Sequence, residues 1–86
     1  MSAETTVERV RRCLRRCAPQ APEEALAPGA PLFDNKVLDS LTTVELALLL
    51  EREFGVRVRA ADLSRERFGT VEAIARFVES RARTEP

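Results

Sequence analysis

The chain lacks three side-chain types on which many functions depend: it has no histidine, no tryptophan and no tyrosine. Without histidine, the commonest general base and metal ligand is missing. Its four phenylalanines are the only aromatic side chains, so few groups are available to stack on bases. Fourteen acidic and fourteen basic residues leave no net charge, and nucleic acid is therefore not an expected partner.

Long apolar segments are also missing. No run approaches the about 18 apolar residues that span a bilayer, and the first eight residues are polar and acidic rather than signal-like. We therefore expect no membrane association and a cytoplasmic location.

The 86 residues predict a single domain over 1–86, ordered over about 5–83. A deep catalytic cleft is improbable in so small a core, which favours a docking module over an enzyme.

The two cysteines, Cys13 and Cys17, are four positions apart and lack the CxxC spacing of redox and zinc sites. No other ligand cluster accompanies them. We interpret them as buried or half-buried thiols of a helix rather than as redox or metal groups, and we predict no metal site.

A first helix is predicted over about 5–18. Thr5 and Glu8 have the spacing of a capping box, apolar residues follow at helical intervals, and Pro19 ends the pattern. The other faces of this helix carry Arg9, Arg11, Arg12, Arg15 and Arg16. These arginines fit either a solvated face or a docking surface for an acidic partner.

Residues 19–38 contain four prolines and Gly29, so they predict a long structured loop rather than a helix or strand. An unpinned loop of this length would be unusual. Five apolar residues are expected to pin it across the helices: Leu26, Leu32, Phe33, Val37 and Leu38.

The second helix is predicted over 40–54, with Asp39 as N-cap and Gly55 as left-handed terminator. Its spacing places apolar residues on two opposite sides. The side expected in the core carries Leu46, Leu49, Leu50 and Phe54. The other side carries Leu41, Val44 and Leu48, flanked by Glu45, Glu51 and Arg52. This second stripe is either an exposed partner surface or is covered by the long loop.

The remainder predicts an extended segment around Val56 and Val58, one or two helical turns within 60–68 ended by Gly69, and a last helix capped by Thr70 that runs to about Arg83. The fold class is therefore all-α. We expect a small bundle of three main helices plus a short third helix, with a long loop between helices one and two.

Ser40 stands at the start of the second helix, beside the partly positive end of the helix dipole, where an added phosphate group could be tolerated. Because the chain has no histidine, Ser40 has no hydrolase triad, and no catalytic residue is predicted. Taken alone, a serine at this position is explained by its preference for helix starts.

Asp39-Ser40-Leu41, the following Thr43-Val44-Glu45-Leu46 and the segment 51–55 together resemble the carrier protein superfamily of acyl, peptidyl and D-alanyl carriers. The likeness extends along the chain, through the long loop, the short third helix and the Thr70-Val71 opening of the last helix. It implies a covalent 4'-phosphopantetheine arm on Ser40, with Asp39 capping the helix and helping the modifying enzyme to recognise it.

The resemblance also implies which partners the chain meets. A phosphopantetheinyl transferase would add the arm, an adenylating enzyme or acyltransferase would load it, and condensing or tailoring enzymes would act downstream. The partners would perform the chemistry, and a monomeric carrier would hold the cargo as a thioester. The partner-binding face would comprise Leu41, Val44, Glu45, Leu48, Glu51 and Arg52.

Several positions depart from the fatty-acid branch of this family. Val37-Leu38 replace the usual upstream glycine, Arg52 stands where that branch commonly has glutamate, and the net charge is zero. The pattern is more similar to D-alanyl carriers and free-standing aminoacyl carriers. Lys36 stands where similar carriers often have glycine, and we expect Asn35 to take the turn conformation instead.

Three functions remain open from the sequence. The first is an aminoacyl or acyl carrier of natural-product (nonribosomal peptide or polyketide) biosynthesis. The second is a D-alanyl carrier of cell-wall teichoic acid modification. The third, of a different class, is a non-carrier helical adaptor that binds proteins through the Leu41, Val44 and Leu48 stripe.

Overall fold

Four α-helices and no strand make up the regular structure in the computed structural model, which describes residues 4–84. The helices are α1 (Thr6–Cys17), α2 (Ser40–Phe54), α3 (Arg65–Phe68) and α4 (Val71–Thr84), and 3-10 turns form at Glu23–Leu26 and Ala60–Asp62. The predicted all-α fold, with three main helices and a short third one, is confirmed. No helix in this range is both long and apolar enough to cross a membrane.

Residues 1–3 and 85–86 lie outside the described residues. Residues 1–3 are part of the polar N-terminal segment that is predicted not to be a signal peptide. Both 1–3 and 85–86 fall within the predicted domain over 1–86.

Helix α1 begins at a capping residue, as its sequence predicts. The Thr5 hydroxyl accepts a hydrogen bond from the Glu8 N–H at 3.2 Å, whereas the Glu8 carboxylate accepts from Arg11 at 2.9 Å. Val10, Cys13 and Leu14 are buried. Only the serine/threonine half of the capping box is therefore used as a cap, because an arginine one turn later takes the glutamate.

Intramolecular ion pairs hold four of the five arginines of α1. Arg9 donates to the Glu53 carboxylate at 3.0 Å and lies over the Phe54 ring at 4.4 Å. Arg15 makes two bonds of 3.0 Å to Glu23. The paired set is Arg9, Arg11, Arg12 and Arg15. These pairs connect α1 to α2 through Glu53 and to the long loop through Glu23. Arg16 is exposed and forms no ion pair with any residue of 4–84.

The long loop is pinned at its far side, to the junction of α3 and α4. The Leu32 N–H donates to the Gly69 carbonyl at 2.8 Å, and the Glu72 N–H donates to the Pro28 carbonyl at 3.0 Å. Of the five predicted pinning residues, Leu26, Leu32, Val37 and Leu38 are buried and Phe33 is half-buried. The prediction of a pinned loop is confirmed.

Lys36, and not Asn35, adopts the left-handed backbone conformation, with φ 61°. The expectation for Asn35 was wrong because residues 31–35 form a helix-like turn, closed by Asn35 N–H to Pro31 carbonyl at 3.0 Å. Val37 N–H then donates to Leu32 and Lys36 N–H to Phe33, at 2.9 and 3.1 Å. This is the hydrogen-bond pattern of a Schellman motif, which places Lys36 at the position where glycine is favoured.

We expect Lys36→Gly to stabilise the protein by about 0.5–1 kcal/mol. A left-handed conformation costs a non-glycine residue about 1–2 kcal/mol, and the greater freedom of glycine in the unfolded chain cancels part of the gain. Lys36→Ala removes the same side chain but keeps the strain, so it should leave stability unchanged. Urea unfolding of the two variants would separate them, and equal midpoints would contradict the argument.

The last helix closes the core. Thr70 caps it, accepting from the Ala73 N–H at 3.0 Å, and its predicted apolar stripe is buried: Val71, Ile74, Phe77 and Val78. The stripe meets α3 through Phe68, whose ring centroid lies 5.7 Å from that of Phe77. α4 also packs against α1, with Thr6 donating to Glu79 at 2.7 Å. First and last helices are therefore neighbours.

Gly69 ends α3 as predicted, for a steric reason. A Cβ atom at this position would lie 2.3 Å from the Arg65 carbonyl oxygen. The chain needs a glycine here to pass that carbonyl and enter α4.

Asp62 is a buried charge to which the sequence pattern assigned no role. Its carboxylate accepts two bonds from Arg81, at 3.0 and 3.1 Å, one from Arg67 at 3.0 Å and one from the Arg59 N–H at 2.8 Å. Arg81 also stacks over Phe77 at 4.9 Å. Asp62 thereby joins the 55–62 segment to both α3 and α4.

Candidate functional site

The start of α2 is built so that Asp39, and not Ser40, caps the helix. The Asp39 carboxylate accepts from the Thr42 N–H at 2.8 Å, as predicted for an N-cap. Ser40 is the first helical residue and is exposed. Within residues 4–84, no group hydrogen bonds to the Ser40 hydroxyl. The hydroxyl is thus available for modification without loss of the cap.

Two further features hold this helix start. The Thr43 hydroxyl donates to the Asp39 carbonyl at 2.6 Å, and Thr43 is buried. The hydrogen bond from the Thr42 backbone N–H is the main cause that holds the pKa of Asp39 below its ordinary value. Asp39 therefore stays ionised at neutral pH, and its carboxylate is fixed beside Ser40.

Helix α2 has one buried and one exposed apolar side. Leu46 and Leu50 are fully buried, and Leu49 and Phe54 are half-buried, which agrees with the predicted core side. On the opposite side, the exposed fractions are 68% for Leu41, 46% for Val44 and 56% for Leu48. We call these three residues the apolar stripe.

The alternative that the long loop covers the apolar stripe is wrong. The loop is bonded instead to Gly69 and to Glu72 of α4, and its buried leucines fill the core. Because its polar backbone groups find those partners on another side of the bundle, the outer side of α2 stays open. The predicted exposure of the apolar stripe is thus confirmed, and its use as a partner surface stays a prediction.

The charged residues predicted around the stripe do not all face outward. Glu45 and Arg52 are exposed. Glu51 is half-buried, and its carboxylate accepts from the Val58 N–H at 2.8 Å. Glu51 therefore holds the 55–59 segment against α2, and the exposed charges on this side are Glu45 and Arg52.

A shallow groove of about 370 Å³ runs beside the stripe, between α1 and α2. Its lining residues are Arg16, Cys17, Glu45, Leu48, Leu49 and Arg52. The sequence pattern placed Glu45, Leu48 and Arg52 on one face, but it did not bring Arg16 and Cys17 to them. Only the packing of α1 against α2 does so, and this packing depends on contacts distant in sequence.

The two thiols behave as parts of the helix packing. Cys13 is buried and Cys17 is half-buried, as expected for helical thiols. Burial raises the pKa of Cys17 to about 11 and also raises the pKa of Cys13. Both thiols therefore stay protonated at neutral pH and are poor nucleophiles.

The geometry at Ser40 fits a covalently attached phosphate ester. The side chain is exposed, the cap is supplied by its neighbour, and the hydroxyl lies at the N-terminus of a helix of 15 residues, where negative charge is tolerated. A flexible group attached there would extend into solvent beside the apolar stripe.

Comparison with known proteins supports this interpretation. The family described as phosphopantetheine attachment site matches the chain over residues 8–78. The matched region contains all of α2 and α3 and much of α1 and α4.

Individual relatives give a more specific likeness. A D-alanyl carrier protein of Enterococcus faecalis is 41% identical over 49 residues, which cover 57% of this chain and 63% of that protein. One from Streptococcus pyogenes serotype M5 is 46% identical over 48 residues, covering 56% of this chain and 61% of that protein. The match thus spans about three fifths of the relatives' own length.

Proposed function

Since the chain belongs to the phosphopantetheine attachment site family, we propose that it is a free-standing carrier whose arm is attached at Ser40. Family membership implies a covalently bound 4'-phosphopantetheine group. The observation that carries the assignment to Ser40 is its exposed hydroxyl, the first helical side chain of α2, with the capping role already filled by Asp39.

Attachment requires little of this chain beyond an accessible hydroxyl. The Ser40 oxygen forms the new bond to the pantetheine-linked phosphorus of coenzyme A, the phosphoanhydride bond breaks, and the adenosine bisphosphate leaves. The serine proton passes to a base of the phosphopantetheinyl transferase. Once attached, the group supplies a terminal thiol that can hold an acyl or aminoacyl cargo as a thioester.

A tethered cargo explains why a small protein without a cleft can serve several enzymes. The arm keeps the cargo at an effective concentration of about the millimolar range near a docked partner, so weak and reversible docking suffices. We propose an adenylating enzyme or acyltransferase for loading and condensing or tailoring enzymes for unloading, with the carrier itself monomeric, cytoplasmic and non-catalytic.

An aminoacyl cargo is favoured by the relatives, which are named D-alanyl carrier proteins. We therefore take D-alanine as the first cargo to test. A role in natural-product biosynthesis stays a prediction from the sequence pattern, and the same experiment can address it with other amino acids. A non-carrier adaptor, by contrast, would function without any modification of Ser40.

Attachment is tested by incubating the protein with coenzyme A and a broad-specificity phosphopantetheinyl transferase. We expect a mass gain equal to one phosphopantetheine group, located by proteolysis on the peptide that contains Ser40. A D-alanine-adenylating enzyme with ATP should then add an alanyl group that hydroxylamine removes, as it does thioesters. No mass gain would refute the carrier assignment, and a gain on another peptide would refute the assignment to Ser40.

Leu48→Ala should slow modification of the chain by the transferase about tenfold in kcat/KM, because truncating a central apolar contact of an interface removes about 1–2 kcal/mol of binding. Stability should be nearly unchanged, since the side chain is 56% exposed. Leu46→Ala, on the buried side of the same helix, is the matched control. It should destabilise the fold but leave kcat/KM near that of the wild type under folding conditions.

A further inference from the structure

The ion pairs of α1 leave a specific pair of cations free beside the apolar stripe. Arg9, Arg11, Arg12 and Arg15 are neutralised by glutamates within the fold. Arg16 of α1 and Arg52 of α2 are both exposed and form no ion pair with any residue of 4–84. Positive charge at this side of the bundle is therefore concentrated at these two side chains.

These two arginines border the same groove although they come from different helices. The groove between α1 and α2 is lined by two leucines and a thiol, by two arginines and by one carboxylate: Leu48, Leu49, Cys17, Arg16, Arg52 and Glu45. The nearby carboxylate of Glu53 is already bonded to Arg9 and Arg12, at 3.0 and 2.8 Å. The groove consequently has an excess of unpaired positive charge.

The opposite end of the stripe has the opposite sign. Asp39, whose carboxylate stays ionised, lies next to Ser40 and Leu41 at the start of α2. Along α2, the outer side therefore runs from an acidic end at Asp39 to a basic end at Arg52, with the apolar stripe and Glu45 between them. A partner with the reverse arrangement could dock in only one direction.

We propose that the groove formed by Arg16, Leu48, Leu49 and Arg52 receives an acidic-apolar element of partner enzymes. In that element an apolar side chain contacts Leu48 and the groove, and carboxylates pair with Arg16 and Arg52. The inference deepens the carrier function proposed above, because it names the chemistry of the partner surface and the direction of docking. Arg52 sets that direction from the end of α2 opposite to Ser40, and Arg16 of α1 adds a second cation across the groove.

The test uses two short helical peptides that differ only in charge. Both have leucines at helical spacing; one has glutamates beside them and the other has lysines. Titration into the isotopically labelled full chain, followed by amide shifts in NMR, measures binding and its location. We expect the acidic peptide to shift the amides of Arg16, Leu48, Leu49 and Arg52, and to bind at least about fivefold tighter than the basic peptide.

Charge reversal then distinguishes the groove from a general charge effect. Arg52→Glu should weaken binding of the acidic peptide about fivefold, and Arg16→Glu should do the same. Arg83→Glu makes an equal change in net charge at an exposed position of α4 and should change the affinity by less than about twofold. The basic peptide should bind Arg52→Glu more tightly than it binds the wild type.

The proposal is overturned if neither peptide shifts the groove, if both peptides bind equally, or if Arg83→Glu weakens binding as much as Arg52→Glu does. Ser40 is not modified in this experiment, and Ser40→Ala should bind like the wild type. A negative peptide titration therefore does not contradict the assignment of the protein as a carrier. Likewise, the absence of a mass gain with coenzyme A does not contradict the measured peptide binding.

Discussion

Ser40→Ala is expected to abolish the phosphopantetheine mass gain completely while α2 remains folded. The substitution removes the only oxygen to which we assign the attachment, so no residual modification should be seen at any transferase concentration. Asp39 continues to cap the helix through the Thr42 N–H at 2.8 Å, and alanine is the best helix former. The free energy of unfolding should therefore change by less than about 0.5 kcal/mol.

Ser64→Ala is the matched control for this prediction. Ser64 also stands at a helix start, where its hydroxyl accepts from the Arg67 N–H at 3.2 Å. Its loss should weaken the short helix α3 but leave the mass gain intact. Mass spectrometry of both variants, with circular dichroism to confirm folding, gives the answer. A mass gain that persists in folded Ser40→Ala would place the attachment elsewhere.

Asp62→Ala is expected to lower the free energy of unfolding by about 3–5 kcal/mol, a large fraction of the stability of a small domain. The side chains of Asp62 and Arg81 are 9% and 14% exposed. Removing the carboxylate takes two hydrogen bonds from the buried Arg81 charge and one from Arg67. The 55–62 segment then keeps the bond from Arg81 to the Arg57 carbonyl at 2.9 Å but loses its connection through Asp62 to α3 and α4. Urea unfolding measures the loss.

Asp34→Ala serves as the comparison, because it breaks an ion pair that is exposed on both sides. The Arg65–Asp34 pair has side chains that are 73% and 66% exposed, so its loss should cost less than about 1 kcal/mol. Equal destabilisation by Asp34→Ala and Asp62→Ala would show that burial of the Asp62 pair adds nothing.

The same aspartate makes stability depend on pH. Burial alone would raise the pKa of Asp62, but the hydrogen bonds from Arg81 and from the Arg59 N–H, with the charges of Arg81 and Arg67, outweigh it and hold the pKa below its ordinary value. The Asp62 carboxylate therefore contributes its full stabilisation at pH above the pKa of aspartate in the unfolded chain, about 4. This stabilisation is lost as pH falls through the lower pKa that Asp62 has in the folded protein. When the pH is lowered below about 4, Asp62→Asn should lose less of its free energy of unfolding than the wild type does.

Local signals explain what could be predicted from the sequence. Asp39 and Gly55 set the ends of α2 because a cap and a left-handed glycine act within a few residues, and the observed bounds, Ser40–Phe54, are those predicted. Helical spacing likewise identified the buried stripe of α4 and placed Leu41, Val44 and Leu48 on one side of α2. It left open whether the long loop covers that side. Ser40 could be singled out because its motif lies within that local pattern.

Features that depend on distant residues were missed. The route of the long loop depends on a bond between Leu32 and Gly69, and the neutralised arginines depend on pairs such as Arg9 with Glu53, 44 positions apart. Neither pairing has a periodicity that a single sequence reveals. The groove at Arg16 and Arg52, and the burial of Asp62, follow from such contacts as well.

The pairing of first and last helices has a consequence for synthesis on the ribosome. α1 packs against α4 as well as against α2, shares one hydrophobic core with Ile74, Phe77 and Val78 of α4, and is bonded to α4 through Thr6 and Glu79. A nascent chain that ends before Val71 therefore lacks α4, whose buried side completes the core. Such a chain should not hold α1 and α2 together. If Ser40 carries the arm as we propose, it should become a substrate for modification only after α4 has emerged.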